Sequence, residues 1–231
     1  VLEFRRDKWT ARSGPAKIRR LTDYRFTPIG HAPRQLDMRG AEATLANWMT
    51  DAMRAATGTD VALMNRQYYR GFPIKAGQVD MVDVLHAMGV VDWNLIVVQL
   101  TGREITEILD DNVPDPKKDA HYVKDGPEAG RLVQLSGARY TFDRSRRPGK
   151  RILATDLQPE RTYSVAFEGH VAHWETLLLA GRFGNLHYTP TEIPLTTALY
   201  GHAMRKGVLE ARVEGRVIDA APTPPGSAPG W

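Results

Sequence analysis

Residues 42–70 read EATLANWMTDAMRAATGTDVALMNRQYYR and carry the clearest helix and strand signals of the chain. In its first half, apolar residues recur at positions i, i+3, i+4, i+7, i+8 and i+11, which predicts a helix with one apolar face. Thr44 is placed to cap the start of this helix, and Gly58 is placed to end it. The apolar run at residues 61–64 predicts a short strand that is covered on both faces. A helix that leads into a buried strand is typical of an α/β protein.

The loop that follows this strand, residues 65–70, is rich in arginine and tyrosine. In open α/β sheets ligands bind beyond the carboxyl ends of the strands, so we expect functional side chains here first. Arg70 carries a planar guanidinium that suits the bidentate binding of phosphate or carboxylate. Tyr68 and Tyr69 are large enough to stack on a planar ligand, although aromatic residues more often lie in the core.

Further helix and strand signals follow along the chain. Thr101 and Glu104 have the spacing of a capping box, which starts a helix directly after the apolar strand at residues 94–100. Up to residue 111 the predicted order is αβαβα, which indicates an α/β arrangement. Beyond it, four short strands separated by turn residues predict an antiparallel meander. These strands are predicted at residues 132–135, 140–142, 152–154 and 163–167.

The chain is predicted to close with two helices and one strand, at residues 174–179, 194–205 and 208–218. Together the elements predict an α+β (mixed α/β) fold in a domain that covers residues 34–219. Residues 1–33 are predicted to be a connector and the remnant of a preceding domain, so we expect a longer precursor or a processed product. Residues 220–231 are predicted to be a disordered, proline-rich tail.

The composition excludes several kinds of protein. The 231 residues contain no cysteine, which rules out disulfides and zinc–thiolate sites, and no apolar run approaches the roughly 18 residues of a membrane helix. The formal net charge is +4, and residues 1–39 carry ten Lys and Arg against four Asp and Glu. We interpret this basic region as a solvated or interdomain face, because no aromatic recognition motif accompanies it. Nucleic acid is therefore not an expected partner.

One local cluster contains residue types that bind metals, namely Glu168, His170, His173 and Glu175. Two histidines three residues apart share a face of a helix, and neutral imidazoles suit zinc. The segment, however, spans a predicted change from strand to helix and offers no separate third ligand. We therefore expect no metal site here and interpret the histidines as solvent-facing or capping residues.

Five blocks of sequence carry a family resemblance. They are TLANWMTDAMRAATGTDVALMN at 44–65, AGQVDMVDVLHAM at 76–88, NLIVVQLTGREITEIL at 94–109, RLVQLSGARYTFDRSRRPGKRI at 131–152 and QPERTYSVAF at 158–167. In this order and spacing they resemble the C-terminal domain of the bacterial 5′-nucleotidase and 2′,3′-cyclic phosphodiesterase family. The resemblance covers residues 34–219, and the opening of the chain is similar to the end of the domain that precedes it in that family.

The resemblance implies an exported, two-domain enzyme. In that family the N-terminal domain holds a pair of divalent metals (Mn, Zn, Mg or Ca) that hydrolyses phosphoesters, and the C-terminal domain grips the nucleoside between aromatic rings. The Gly-Asn-His-Glu signature of such a metal centre does not occur in this chain. We therefore expect no cofactor and no catalytic residue in this chain, and no hydrolysis by the chain alone. We also expect a metallophosphoesterase domain as partner, in the same or a separate chain, and a periplasmic or secreted location.

The loop at residues 65–70 departs from the family. The family usually has Asn-Gly-Gly-Gly-Ile-Arg there, so Asn65 and Arg70 match while the glycines that let a backbone approach a ligand are missing. Arg39 falls where the family places an arginine that meets the anionic group of the substrate, and Phe167 falls near a stacking ring. The substrate-binding residues that we predict are Arg39, Asn65, Tyr68, Arg70, Phe167 and Trp174.

Three functions are consistent with these residues. The first is the substrate-recognition domain of an exported 5′-nucleotidase-type metallophosphoesterase, which binds a nucleotide or another phosphorylated small molecule. The second is a non-catalytic interaction module whose nucleotide pocket has decayed. The third is the C-terminal half of a thiosulfohydrolase-like enzyme that acts on a carrier protein. The dimanganese thiosulfohydrolases also lack the glycine triplet and have a Pro-Asp-Pro loop similar to residues 114–116.

Overall fold

A computed structural model describes residues 27–66, 71–89, 92–114, 132–169 and 188–221 with their side chains, and residues 2–5, 8–13 and 17–20 by their backbone. The helices of this part of the chain are α1 (Thr44–Thr57), α2 (Met81–Met88), α3 (Gly102–Asp111) and α4 (Leu195–Lys206). The first strands are β1 (Leu2–Arg5), β2 (Lys8–Ser13), β3 (Lys17–Arg20), β4 (Gly30–Ala32), β5 (Val61–Asn65) and β6 (Gly77–Val79). The later strands are β7 (Asn94–Thr101), β8 (Val133–Ser136), β9 (Tyr140–Phe142), β10 (Ile152–Thr155), β11 (Thr162–Glu168), β12 (Tyr188–Pro194) and β13 (Val217–Asp219).

The main sheet has five strands in the order β12-β7-β11-β5-β8. The central strand β11 runs parallel to its neighbour β5, with Val165 beside Val61. The other three pairings are antiparallel. Smaller sheets are formed by β1-β2-β3, by β10-β9-β13 and by β4-β6. The predicted α+β (mixed α/β) fold is confirmed, because helices pack on a sheet that combines parallel and antiparallel strands.

The main sheet separates two core layers. On one face it packs against α1, α2 and α4, and on the other against α3 and the small sheet that contains β9. The first layer includes Trp48, Met53, Met64, Leu95 and Leu199. The second layer includes Leu63, Ile105, Tyr140, Val165 and Phe167. Because β5 contributes alternate residues to both layers, all of its residues are buried, which confirms the predicted strand covered on both faces.

The opening helix begins differently from the prediction. Thr44 is the first residue of α1 and does not cap it, because the N-cap position belongs to Ala43, which has no capping side chain. The Thr44 hydroxyl instead lies beside Asp37, whose backbone N–H donates to it at 3.1 Å. Gly58 ends the helix as predicted, with a left-handed φ of 66°. The capping box of Thr101 and Glu104 is also confirmed at the start of α3.

The predicted meander is wrong in its pairing. Strands β8 and β11 belong to the main sheet, where β5 lies between them, whereas β9 and β10 form the small sheet with β13. The strand β13 runs parallel to β9 although it comes from the end of the chain. Short strands joined by turns favour a meander in the sequence, but the two-sided apolar pattern of β11 is satisfied only inside the main sheet.

The predicted last strand at residues 208–218 is also corrected. Only Val217–Asp219 forms a strand, and Val208 makes a single isolated bridge to His31. Near the start of the domain, Ile29 and Ala32 pack in the first core layer, so core packing begins before the predicted boundary near residue 33. The predicted helix at residues 174–179 and most of the tail lie outside the described residues. Within those described, no helix is both long and apolar enough to span a membrane.

A buried carboxylate holds the end of the domain against the start of α1. Glu42 is 5% exposed, and its oxygens accept hydrogen bonds from the Asn47 amide at 2.6 Å and from the backbone N–H groups of Glu214 and Arg216 at 2.7 and 2.8 Å. The Arg216 guanidinium in turn donates to both oxygens of Asp51, at 2.7 and 2.9 Å. Because a buried carboxylate is costly unless it is hydrogen-bonded, this network fixes where β13 lies.

Candidate functional site

Several helix and strand termini converge at one end of the main sheet. Since β11 runs parallel to β5, the last residues of both strands, Glu168 and Asn65, lie at the same end. Antiparallel β7 begins there, with Leu95 opposite Glu168. The backbone N–H of Leu195 donates to the carbonyl of Trp93 at 3.0 Å, which brings the start of α4 to the same place. We call this region the carboxyl end of the sheet.

Asn65 connects this end of the sheet to α3. It is 2% exposed, and its Nδ2 lies 3.3 Å from Oδ1 of Asn112, the residue that follows α3. Asn112 donates through its own Nδ2 to the carbonyl of Ile108 at 2.8 Å. The Asn65 amide is therefore built into the protein interior in the described structure, and its predicted contact with a ligand stays a prediction.

Arg66, the next residue, reaches the loop that precedes α1. We call residues 37–40 the Arg39 loop. The two terminal nitrogens of the Arg66 guanidinium donate to the carbonyls of Met38 and Gly40, and the side chain is buried with 8% of Arg66 exposed. These two carbonyls belong to the neighbours of Arg39 on either side. The exit of β5 is thus tied directly to the loop that carries a predicted substrate-binding arginine.

Arg39 itself combines a fixed backbone with an exposed side chain. Its backbone N–H donates to Oδ1 of Asp37 at 3.1 Å, and the Asp37 carbonyl accepts the N–H of Leu45 in the first turn of α1 at 2.9 Å. The Arg39 guanidinium makes no hydrogen bond or ion pair with any other residue that the structure describes. The first turn of α1 contains no acidic residue, so the positive end of the helix dipole beside this loop is not neutralised within its own turn.

The start of α4, at the same end of the sheet, already has its own anion. Asp92 accepts the backbone N–H of Thr196 at 3.0 Å and also bonds the Thr196 hydroxyl, so it caps α4 from outside the helix. Burial, and then the charges of Asp92 and Asp80, raise the pKa of Tyr200 to about 12, and its hydroxyl donates to the carbonyl of Met81. At the start of α1, the backbone carbonyl of Asp37 accepts the N–H of Leu45, and the carboxylate of Glu42 lies directly before the helix.

The remaining predicted site residues are placed as follows. Phe167 lies near the end of β11, but it is 4% exposed and packs in the second core layer, so its stacking role stays a prediction. Tyr68, Arg70 and Trp174 lie outside the described residues, and their roles also stay predictions. The described structure therefore brings Arg39 and Asn65 to one end of the sheet, joined through Arg66.

Sequence reasoning missed Arg66 and Asp37 as parts of this region. Arg66 directly follows a fully apolar strand, and Asp37 precedes Arg39 by two residues, a spacing at which a carboxylate can accept the second backbone N–H after it. The role of Asp37 can be predicted from the sequence, because its partner is only two residues away. The role of Arg66 cannot, because the carbonyls that it bonds are 26 and 28 residues away along the chain.

No metal-binding group emerges from the described part of the chain, where no three His, Asp or Glu side chains converge on a point that could hold an ion. Of the cluster considered above, Glu168 is buried at 2% exposure, and His170, His173 and Glu175 lie outside the described residues. Among the described residues, the carboxyl end of the sheet combines the exposed guanidinium of Arg39 with the carboxylates of Asp37, Asp92 and Glu168.

A cavity of about 720 Å³ lies at the opposite end of the sheet, between the last turns of α1 and α4. Its two carboxylates are paired with arginines from outside the lining, Asp51 with Arg216 at 2.7 Å and Glu210 with Arg212 at 2.6 Å. Burial, together with the nearby Arg205 and Lys206, holds the pKa of His202 below its ordinary value despite the opposing charge of Asp51. We do not assign this cavity as the candidate site, since its carboxylates are already paired within the protein.

Comparison with known proteins gives a consistent result. A model of the 5′-nucleotidase C-terminal domain family matches residues 28–177, which is more than half of the chain. The trifunctional nucleotide phosphoesterase protein YfkN of Bacillus subtilis (strain 168) is 28% identical over 155 residues, covering 63% of this chain and 10% of YfkN. The chain thus spans about a tenth of the length of this curated relative.

Solved structures share the fold. The 5′-nucleotidase precursor from Thermus thermophilus matches with a TM-score of 0.73 and 24% identity, over 86% of this chain and 40% of that one. The sulfate thiohydrolase SoxB of Thermus thermophilus, solved in complex with glycerol, matches with a TM-score of 0.67 and 22% identity, over 87% of this chain and 36% of that one. At these identities the similarity shows the fold, and the chain spans about two fifths of each structure.

Proposed function

The chain belongs to the family of 5′-nucleotidase C-terminal domains, and we propose that it is the substrate-recognition domain of an exported 5′-nucleotidase-type phosphoesterase. Its ligand in this proposal is a nucleotide or another phosphorylated small molecule. Hydrolysis belongs to a metal-containing phosphoesterase domain, in the same protein or on a separate chain, and this chain binds and orients the substrate. A periplasmic or secreted location is part of the same proposal.

The observation that carries the proposal is the state of Arg39. A guanidinium that is exposed, has no partner among the described residues and stands on a fixed backbone is available to a ligand anion. The positive end of α1 lies beside it and favours negative charge. Charge-assisted hydrogen bonds from arginine to phosphate are strong and geometrically specific, so this end of the sheet suits a phosphate monoester or inorganic phosphate.

Orientation is the chemical contribution that this domain makes in the proposal. Binding the phosphorylated ligand at a fixed arginine places the scissile bond relative to the partner domain, which converts an encounter into an oriented complex. Arg70, matched to the family arginine in the sequence, supplies a second guanidinium fork in this proposal. Two forks on one anion define both its position and its rotation.

The test is a comparison of adenosine 5′-monophosphate with adenosine and inorganic phosphate as ligands of the unaltered chain. Binding of the monophosphate and of phosphate supports an anion-directed site, and a ligand at 100 times its dissociation constant stabilises the chain by about 2.7 kcal/mol in thermal unfolding. In Arg70→Ala the affinity for the monophosphate should fall at least tenfold. Two results contradict the proposed role of the arginines. One is an equal affinity of Arg70→Ala and the unaltered chain for the monophosphate, and the other is stabilisation by adenosine when neither the monophosphate nor inorganic phosphate stabilises the chain.

One observation favours a second candidate, the non-catalytic interaction module. Two of the predicted ligand contacts, Asn65 and Phe167, are buried and packed within the domain. If the pocket has decayed, none of the three ligands stabilises the chain, and the isolated domain binds only through its surface. The thiosulfohydrolase-like alternative is a separate proposal, and for it the similarity to SoxB supplies the fold alone.

A further inference from the structure

We propose that Arg66 is a positioning residue, which holds the Arg39 loop in the shape that presents the Arg39 guanidinium to an anionic ligand. This inference rests on the proposed function of the carboxyl end of the sheet. It assigns no ligand contact to Arg66, because its guanidinium already donates to the carbonyls of Met38 and Gly40. Its effect on the ligand passes through the backbone of Arg39.

The geometry of the two contacts is what makes Arg66 suited to this role. A guanidinium presents its donors in a rigid planar fork, so two carbonyls bonded by its two ends are fixed relative to each other. Met38 and Gly40 flank Arg39, and Gly40 has a positive φ of 81°, which turns the chain directly after the arginine. A clamp across this turn sets the direction in which the Arg39 side chain leaves the backbone.

Other contacts hold the two ends of the same segment, and Asp37 and Arg66 bond its middle. Leu36 exchanges two backbone hydrogen bonds with Ile74 at 2.9 and 3.0 Å, before the Arg39 loop. After it, Gln134 bonds the carbonyl of Ala41 at 2.8 Å and the N–H of Ala43 at 2.9 Å. Between these anchors, the carbonyls of Met38 and Gly40 are bonded by Arg66, and Asp37 accepts the N–H of Arg39.

The expected benefit is preorganisation. A binding side chain on a mobile loop must lose conformational freedom when the ligand arrives, and that loss weakens binding, whereas a loop fixed in advance has less freedom to lose. The removal of Arg66 therefore weakens anion binding only when Arg39 is present, because Arg66 acts on the ligand only through the position of Arg39. A residue that merely contributes to stability does not show this dependence.

The experiment is a double-mutant cycle with Arg66→Met, Arg39→Ala and the combined variant, with inorganic phosphate and adenosine 5′-monophosphate as probes in calorimetric titrations. We expect Arg66→Met to weaken binding about tenfold, and the combined variant to bind no more weakly than Arg39→Ala alone. Arg66→Lys, which keeps the charge and can bond one of the two carbonyls, should fall between Arg66→Met and the unaltered chain. Amide hydrogen exchange over residues 38–41 should be faster in Arg66→Met.

The outcomes separate this inference from the proposed function. If the unaltered chain binds neither probe, the proposed function is overturned, and the positioning role falls with it. If the unaltered chain binds but Arg66→Met binds equally well, or if the two losses simply add in the combined variant, the positioning role is overturned while the proposed function stands. Should Arg66→Met fail to fold, the same cycle is completed with Arg66→Lys, and additive losses there overturn the role equally.

Discussion

Arg39 and Glu42 lie three residues apart and have opposite surroundings. Glu42 is buried, and its carboxylate accepts hydrogen bonds from Asn47 and from the backbone at Glu214 and Arg216. Arg39 is exposed, and only its backbone is held, by Asp37 on one side and by the flanking carbonyls that Arg66 bonds. The same short segment therefore carries one charge committed to the structure and one charge available to a ligand.

The two surroundings distinguish a structural charge from one that is free to bind. A buried carboxylate that satisfies several N–H groups is expensive to remove, because each of those groups is then left without a partner. An exposed guanidinium on a fixed backbone costs almost nothing to remove from the folded state, so a functional role for it is measured by binding and not by stability. The predictions below test this contrast through the free energy of unfolding.

The largest effect is expected for Glu42→Ala. The substitution leaves the N–H groups of Glu214 and Arg216 without their acceptor and removes one of the two acceptors of the Asn47 amide, so the free energy of unfolding should fall by about 3–5 kcal/mol. Urea titration followed by circular dichroism measures it. Glu192→Ala is the matched control on an exposed glutamate, and it should change stability by less than about 0.5 kcal/mol. Similar losses in the free energy of unfolding for the two variants would contradict the structural role of the Glu42 carboxylate.

A second buried carboxylate should have a smaller effect. Asp110, near the end of α3, accepts the backbone N–H groups of Gly149, Arg151 and Ile152 at 2.5, 2.6 and 3.2 Å and so fixes the turn between β9 and β10. Asp110→Ala should lower the free energy of unfolding by about 2–3 kcal/mol, because water reaches part of this turn once the carboxylate is gone. The same urea titration measures it, and a loss below about 0.5 kcal/mol would show that the turn does not depend on Asp110.

Asp60 is partly exposed, and its contribution to the free energy of unfolding should depend on pH. It accepts the backbone N–H and the hydroxyl of Ser164 at 2.9 and 2.8 Å, and these bonds hold the pKa of Asp60 below its ordinary value of 3.8. The folded state then binds fewer protons than the unfolded state near this pH, so stability rises with pH through that window. The contribution is complete above the unfolded pKa and is lost as the pH falls through the lower folded pKa.

Comparing Asp60→Asn with the unaltered chain checks this sign. At pH 6 the substitution should cost about 1 kcal/mol, and the difference between the two proteins should shrink steadily below about pH 4. Thermal unfolding between about pH 6 and pH 2.5 gives both values. A difference that grows as the pH falls would contradict the account of Asp60 as a hydrogen-bonded carboxylate.

The sequence predicted the parts of the fold that depend on local patterns. The buried strand β5, the left-handed Gly58 and the capping box of Thr101 and Glu104 all follow from residues within a few positions of one another. The pairing of the later strands did not follow, because β11 joins β5 across about a hundred residues of chain and β13 joins β9 from the far end. Turn residues show where a strand ends but not which strand lies beside it.

The candidate site was predictable to a similar degree. The resemblance in sequence predicts ligand contacts for Arg39 and Asn65, a role that stays a prediction, and the structure places both residues at the carboxyl end of the sheet. Neither the burial of Asn65 against Asn112 nor the reach of Arg66 to the Arg39 loop could be derived from spacing, since both depend on how distant elements pack. The surroundings of these side chains, rather than their types, distinguish a ligand contact from a structural one.

The most direct measurement is the paired stability and affinity of Arg39→Ala, with Arg205→Ala, at the far end of α4, as the matched control. We predict that Arg39→Ala changes the free energy of unfolding by less than about 0.5 kcal/mol, while it lowers the affinity for adenosine 5′-monophosphate at least tenfold, the loss expected for a charge-assisted hydrogen bond. Arg205→Ala should change neither quantity. An unchanged affinity in Arg39→Ala, or a loss of affinity that only accompanies unfolding, would contradict the claim that the Arg39 loop holds the anionic group of a ligand.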